Sequence, residues 1–86
     1  MMAYKVEWKP RVIEDLESLE PQIQERIIEK VELIKDSPNR FLDYLKKYAV
    51  HRMRVGDYRV FIDLHTKDRL LEVLTIRHRK NAYKRL

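Results

Sequence analysis

The chain has 86 residues, no cysteine, one glycine and a net charge of +5, from 19 Lys/Arg against 14 Asp/Glu. A chain this short removes only about 60% of its unfolded surface from water, so one sheet on one helical layer around one core is the limit. The missing cysteines exclude disulfides and thiolate metal sites. No apolar run approaches the roughly 20 residues of a membrane span, and the opening MMAYKVEWKP alternates apolar with charged, unlike a signal peptide. The expectation is one domain over residues 1–86, soluble and cytoplasmic, without a membrane partner.

Charge is segregated along the chain. Residues 1–43 carry seven Lys/Arg and ten Asp/Glu, whereas residues 44–86 carry twelve and four. Heat adaptation would account for the amount of charge but not for its division. A basic half on a small domain is the footprint of a polyanion binder.

Tyr4 to Lys9 alternates strictly, with Tyr4, Val6 and Trp8 on one face, and predicts a half-buried strand ending at Pro10. Val12, Ile13, Leu16 and Leu19 then repeat at helical spacing, and this helix stops before Pro21. A second helix runs from Pro21 to about Lys35 on a stripe of Ile23, Ile27, Val31 and Ile34, with Ile28 at its margin. So short a link makes the two helices a hairpin, and its acidic outer faces make it scaffold. Asp36-Ser37-Pro38-Asn39 signals a turn. Arg40 to Val50 mixes helical and irregular spacing and reads as a loop with one helical turn at most.

His51 to Val55 alternates again, with Arg52 and Arg54 opposite Met53 and Val55. Gly56-Asp57 fits a tight hairpin turn. Beyond it, Tyr58, Val60, Ile62 and Leu64 share one face, and Arg59, Phe61 and Asp63 the other. After a second turn at 66–69, Leu70 to Arg77 is apolar on both faces, as in a central strand. Alternation sets Leu70, Leu74 and Ile76 against Leu71, Val73, Thr75, Arg77 and Arg79. The tail from Lys80 to Leu86 has room for a single turn. The fold class is α+β, ordered β-α-α-β-β-β: a small, mainly antiparallel sheet with a helical hairpin on one face and the other face open.

Period-two geometry lets Arg52, Arg54, Arg59 and Arg79 project from that open face, on strands about 5 Å apart. Arginine donates in pairs to phosphate oxygens and stays charged, so such a row suits one phosphate or a few in succession. Preorganised guanidiniums also stabilise the extra negative charge that develops when a ribose 2′-hydroxyl attacks its own 3′-phosphate. Tyr83 is the best placed group with a titratable proton, and its ring could equally stack on a base. Lys46, Lys47, Lys80 and Lys84, with Arg77 at the rim, would follow the RNA backbone. His78 reads as a structural residue at a strand end. The histidines, His51, His65 and His78, have no companion spacing of carboxylates, so no metal or cofactor is suggested.

RVGDYRVFI followed by LEVLTIRHRKNAY, behind a strand-helix-helix segment ending in a Ser-Pro turn, resembles the RelE/ParE superfamily of toxin–antitoxin toxins from about Tyr4 to Tyr83. The RelE branch of that family comprises metal-independent, ribosome-dependent endoribonucleases that cut mRNA in the A site. The resemblance implies that the working arginines are Arg59 and Arg79, that the C-terminal tyrosine is Tyr83, and that Arg52 and Arg54 stand at the basic second-strand positions, lysines in some members. An arginine hardly gives up its proton, so these two would act as electrostatic stabilisers. The glycine often found before the second strand is missing, with Lys46-Lys47-Tyr48 there instead. The implied partners are a RelB-like antitoxin, covering the open face at Phe61, Leu71 and Val73, the ribosome with its mRNA, and operator DNA through the toxin–antitoxin complex alone. A ParE-like gyrase inhibitor and a catalytically silent binding module of the same fold are the alternatives.

Overall fold

The computed structural model describes residues 3–84 and Leu86. Strand β1 (Lys5–Trp8) leads into helix α1 (Pro10–Glu17), and after the link Ser18–Glu20 comes helix α2 (Pro21–Ile34). Each helix begins on a proline, whose fixed φ suits the first turn and whose missing N–H is not needed there. The link is tied locally: the Ser18 hydroxyl donates to the Asp15 carbonyl at 2.6 Å, and Gln24 Nε2 donates to the Leu19 carbonyl at 2.7 Å. A 3₁₀ turn at Pro38–Arg40 precedes β2 (Asp43–Leu45), β3 (Val50–Val55), β4 (Tyr58–His65) and β5 (Leu70–His78), and a second 3₁₀ turn covers Arg79–Asn81. The five strands form one sheet in the order β1-β5-β4-β3-β2, antiparallel except for the parallel β1–β5 pair. No helix among the described residues is long and apolar enough to cross a membrane. Arg85, within the predicted C-terminal turn, and Met1 and Met2 of the opening segment lie outside the described residues.

The sheet buries one face under both helices. Val12 and Leu16 from α1 and Ile27, Val31 and Ile34 from α2 meet Met53, Val55, Val60, Ile62, Leu71, Val73 and Ile76 from the strands. The predicted stripes hold with one exception: Ile13 lies at the solvent margin together with Ile28, because a helix laid on a sheet covers only a narrow arc.

Two expectations are corrected. The segment expected as a loop with at most one helical turn contains a strand, β2, paired through Asp43↔Arg52, Tyr44↔His51 and Leu45↔Val50. Three residues are too few to show a period of two, so only pairing with β3 reveals it. The second concerns β5. A register shift between Phe61 and Ile62 sets Phe61 opposite Thr75 and Ile62 opposite Val73, leaving Leu74 as the extra residue of a bulge. One inserted residue reverses the alternation beyond it. Leu71, Val73 and Ile76 therefore face the core, and Glu72, Thr75 and Arg77 face away. Leu71 and Val73, expected on the open face, are completely buried beneath the helices.

The turn from β2 to β3 carries strain. Ala49 sits at φ +54°, in the left-handed region where a Cβ crowds the following carbonyl. Gly56, also left-handed at φ +56°, meets the same need without a side chain. Ala49→Gly is therefore expected to stabilise the protein by about 0.5–1 kcal/mol, after the entropy glycine adds to the unfolded chain. Thermal unfolding should show a rise of roughly 2–6 °C, and a fall would mean that the Ala49 methyl packs usefully.

Candidate functional site

The uncovered face carries two adjacent cross-strand rows. Arg54, Arg59 and Arg77 stand opposite one another on β3, β4 and β5. The next row is Asp43, Arg52, Phe61 and Thr75, on β2 to β5. Neighbouring strands lie about 4.8 Å apart, so the first row lines up three guanidinium-bearing side chains with no acid between them. Directly opposed like charges are destabilising, and a row of them is maintained only where carbonyls or an external anion offset the repulsion.

Each guanidinium is held differently. Arg59 folds back on the hairpin turn, Nη1 donating to the Gly56 carbonyl at 3.0 Å and to the Tyr58 carbonyl at 2.9 Å. Arg77 donates to the Ala82 carbonyl at 3.4 Å and also to the Lys84 carbonyl. Arg52 is largely enclosed, with 15% of its side chain exposed. Its Nη1 donates to the Tyr83 hydroxyl at 2.5 Å and its Nη2 to Asp43 Oδ2 at 3.0 Å, while its Nε is buried without a partner. The Tyr83 hydroxyl first, and Asp43 second, push the Arg52 pKa above its ordinary value, so this cation is permanent. Arg54 is exposed, and among the described residues its guanidinium makes no hydrogen bond; its main-chain carbonyl accepts from Lys30 Nζ at 3.0 Å.

Arg79 lies just beyond β5, in the 3₁₀ turn rather than in the row, with its Nε 3.6 Å from Asp57 Oδ1 and its N–H donating to the Asp57 carbonyl at 2.8 Å. Arg59 and Arg79 thus both grip the Gly56–Asp57 turn. The strand position expected for Arg79 belongs to Arg77, which sequence reading had put at the rim. The reason is where β5 ends: the strand stops at His78, so Arg79 falls in the 3₁₀ turn, while Arg77 stands opposite Arg59. His78 acts as the expected structural residue: its Nδ1 accepts from the Lys80 N–H at 3.2 Å, and its ring meets Tyr58 edge-on.

The tail closes over Phe61. Tyr83 packs edge-to-face on Phe61 at 5.9 Å between ring centroids and lies nearly parallel to Tyr48 at 6.0 Å. Phe61 and Ala82 are buried on this side of the sheet, away from the main core. Tyr48 arrives on the Lys46–Ala49 turn, and Lys47 Nζ lies 5.5 Å from the centre of its ring. Lys46 and Lys47 are thereby carried to the same corner as Tyr83 and Lys84, while Lys80 stands exposed in the 3₁₀ turn. Asp43 and Tyr48 lie in the segment whose spacing reads as loop, so no pattern along the chain points to either.

A different cluster occupies the far end of the same face. His65 Nε2 lies 3.2 Å from Glu72 Oε1 and 3.7 Å from Asp63 Oδ2, and Lys9 Nζ lies 3.0 Å from Glu72 Oε2. His65 thus has the carboxylate companions that sequence spacing did not show, because Glu72 comes from the neighbouring strand. Ligand-type atoms of Asp63, His65 and Glu72 all lie within 4.8 Å of one another. Lys9 and a protonated His65 already satisfy these carboxylates without a cation. The hydrogen bond that His65 donates to Glu72 raises the His65 pKa above 6.5, and hydrogen bonds from Lys9, then His65, lower that of Glu72 below 4.5. The stability gained through His65 is complete below pH 6.5 and is lost as pH climbs through its raised pKa. The gain through Glu72 stands above pH 4.5 and is lost as pH falls through its lowered pKa. Glu72→Gln should move the His65 titration, followed by NMR, toward lower pH; an unmoved titration would contradict this pairing.

Comparison with known proteins places this geometry. The family model described as the ParE toxin of type II toxin–antitoxin system, parDE, matches residues 6–83. A protein named RelE1 from Methanocaldococcus jannaschii is 33% identical over 88 residues, covering 96% of this chain and 98% of its own. The archaeal RelE–RelB complex from Pyrococcus horikoshii superposes at TM-score 0.80 with 27% identity, over 94% of this chain and 100% of the other. The toxin–antitoxin complex RelBE2 from Mycobacterium tuberculosis shares the fold at TM-score 0.82 and 23% identity, over 92% and 94% of the two chains. The class defined by this fold and these matches is that of the small α+β toxins of type II toxin–antitoxin systems. The chain belongs to the RelE/ParE family and is RelE-like within it.

Proposed function

We infer that the chain is a ribosome-dependent endoribonuclease that cuts mRNA in the A site, by attack of a ribose 2′-hydroxyl on the adjacent phosphate. One observation carries the reading: the bare face gathers Arg52, Arg54, Arg59 and Arg77 into two adjacent rows, with the Tyr83 hydroxyl on Arg52. In this reading Arg54, Arg59 and Arg77 receive the phosphate, Arg59 and Arg77 trading their carbonyl contacts for its oxygens, and together they stabilise the charge that grows in the transition state. The Tyr83 oxygen accepts from Arg52, which leaves its own O–H free to donate to the departing 5′-oxygen. Arg79 steadies the Gly56–Asp57 turn on which Arg59 folds, and can reach the flanking phosphate. Lys46, Lys47, Lys80 and Lys84 follow the RNA backbone on either side.

The Pyrococcus horikoshii relative is solved as a complex with RelB. This supports a RelB-like antitoxin for the present chain; in this reading an acidic antitoxin segment covers the arginine rows, and operator DNA is contacted by the pair and not by the toxin alone. The test is 3′-end mapping of mRNA on programmed ribosomes with wild type and Arg79→Ala. Cuts inside A-site codons that weaken or vanish in the variant are expected. A folded, antitoxin-binding wild type that leaves mRNA intact would overturn the reading, and inhibition of purified gyrase by that protein would move it to the ParE branch.

A further inference from the structure

A 2′-hydroxyl attack needs a proton acceptor, and an arginine cannot supply one. Resting on the endoribonuclease reading above, we propose that Asp43 is the general base and that Arg52 positions it against Tyr83, the general acid.

Asp43 lies on the edge strand β2 directly opposite Arg52, and the two side chains meet at 3.0 Å. Other carboxylates of the same face are occupied elsewhere. Asp57 faces Arg79 beyond the end of β5, and Asp63 and Glu72 face His65 at the far end. Among the carboxylates of the described residues, Asp43 alone touches the Arg52–Tyr83 pair. The ion pair is lopsided: the guanidinium is sunk into the face, whereas 62% of the Asp43 side chain is exposed. Among the described residues, Asp43 Oδ1 makes no hydrogen bond, so one carboxylate oxygen is held and the other is presented to solvent.

A pure phosphate binder has reason to exclude a carboxylate from this position, since it repels the ligand. As a structural element its own end of the pair is 62% exposed, where solvent screens most of the gain. The arrangement is explained by the reaction. One planar guanidinium holds Asp43 Oδ2 on Nη2 and the Tyr83 hydroxyl on Nη1, so these two oxygens lie no more than about 8 Å apart on the same fork, with the free Asp43 Oδ1 beside the first. A phosphodiester seated between them, on Arg54, Arg59 and Arg77, presents its 2′-hydroxyl to one and its 5′-oxygen to the other.

The step balances without a co-reactant. The 2′-oxygen forms its bond to phosphorus and yields its proton to Asp43. The bond from phosphorus to the 5′-oxygen breaks, and that oxygen takes the Tyr83 proton. The products are a 2′,3′-cyclic phosphate and a free 5′-hydroxyl, and exchange with water resets both side chains.

The base role and the ion-pair role predict opposite signs in binding. Asp43→Asn should slow single-turnover cleavage on programmed ribosomes by about 10²–10³-fold, in the range of a lost general base. It should also bind a 2′-deoxy, uncleavable mRNA as tightly as wild type or tighter, because a repelling charge is gone. If Asp43 only props Arg52, binding should weaken along with cleavage, and that result would overturn the proposal. A second arm separates base from acid. An mRNA with a 5′-sulfur leaving group needs no acid, so it should restore the rate of Tyr83→Phe and leave Asp43→Asn slow. Recovery of both variants, or of Asp43→Asn alone, would refute the assignment. Asp43→Glu, which keeps the carboxylate, should recover part of the rate. Wild type that makes no cut removes the endoribonuclease reading itself, whereas wild type and Asp43→Asn cutting equally removes only the base.

Discussion

Replacing Arg52 with alanine should lower single-turnover cleavage of ribosome-bound mRNA by about 10²–10³-fold, and Arg52→Lys should recover little of it. The reason is geometric more than coulombic. Arg54, Arg59 and Arg77 would still present three guanidiniums to a phosphate, so the lost charge alone would cost affinity. What alanine also removes is the fork that holds the Tyr83 hydroxyl at 2.5 Å and the Asp43 carboxylate at 3.0 Å. A lysine places one ammonium on one of them and releases the other. Because Arg52 and Tyr83 act as a unit, Arg52→Ala combined with Tyr83→Phe should be little slower than Arg52→Ala alone. Fully multiplicative losses would show that the two residues work independently. Arg54→Ala offers the contrast. Its guanidinium has no partner among the described residues, so its loss should appear mainly as weaker, less salt-dependent RNA binding.

The fold was legible in the sequence wherever an element was long enough to show its period. β1, both helices, β3 and β4 each carry several apolar residues at one spacing, and each is observed with the face expected. What escaped is non-local. β2 is too short to announce itself, and it carries Asp43 to Arg52 only through pairing with β3. The β5 bulge, invisible along the chain, turned Leu71 and Val73 into the core, and the end of β5 at His78 left Arg77, not Arg79, in the row. The site was thus half legible. Composition and alternation indicated arginines on a bare face, but cross-strand register decides which of them are neighbours.

The bare face is not bare everywhere, and Phe61→Ala should show it. Phe61 is fully buried on the side away from the helices, roofed by Tyr83, with Ala82 buried on the same side. Truncation of a buried phenylalanine costs about 3–5 kcal/mol, against a total of roughly 4–13 kcal/mol for a domain of this size. Urea unfolding should therefore show a loss on that scale. Tyr83→Ala, by contrast, removes a ring that is 41% exposed and should cost much less stability. If Phe61→Ala costs under 1 kcal/mol, the tail is not a packed roof and Tyr83 is not fixed by it. Phe61→Leu separates the two consequences. It keeps most of the buried volume, so the domain should remain folded, but it loses the edge-to-face contact, worth about 0.5–1.5 kcal/mol, that orients Tyr83. A folded Phe61→Leu protein that binds RNA normally yet cleaves it slowly is the expected outcome. It follows from the layout of the face, where the residue that anchors the tail stands opposite Arg52, whose guanidinium grips the Tyr83 hydroxyl at the tail's end.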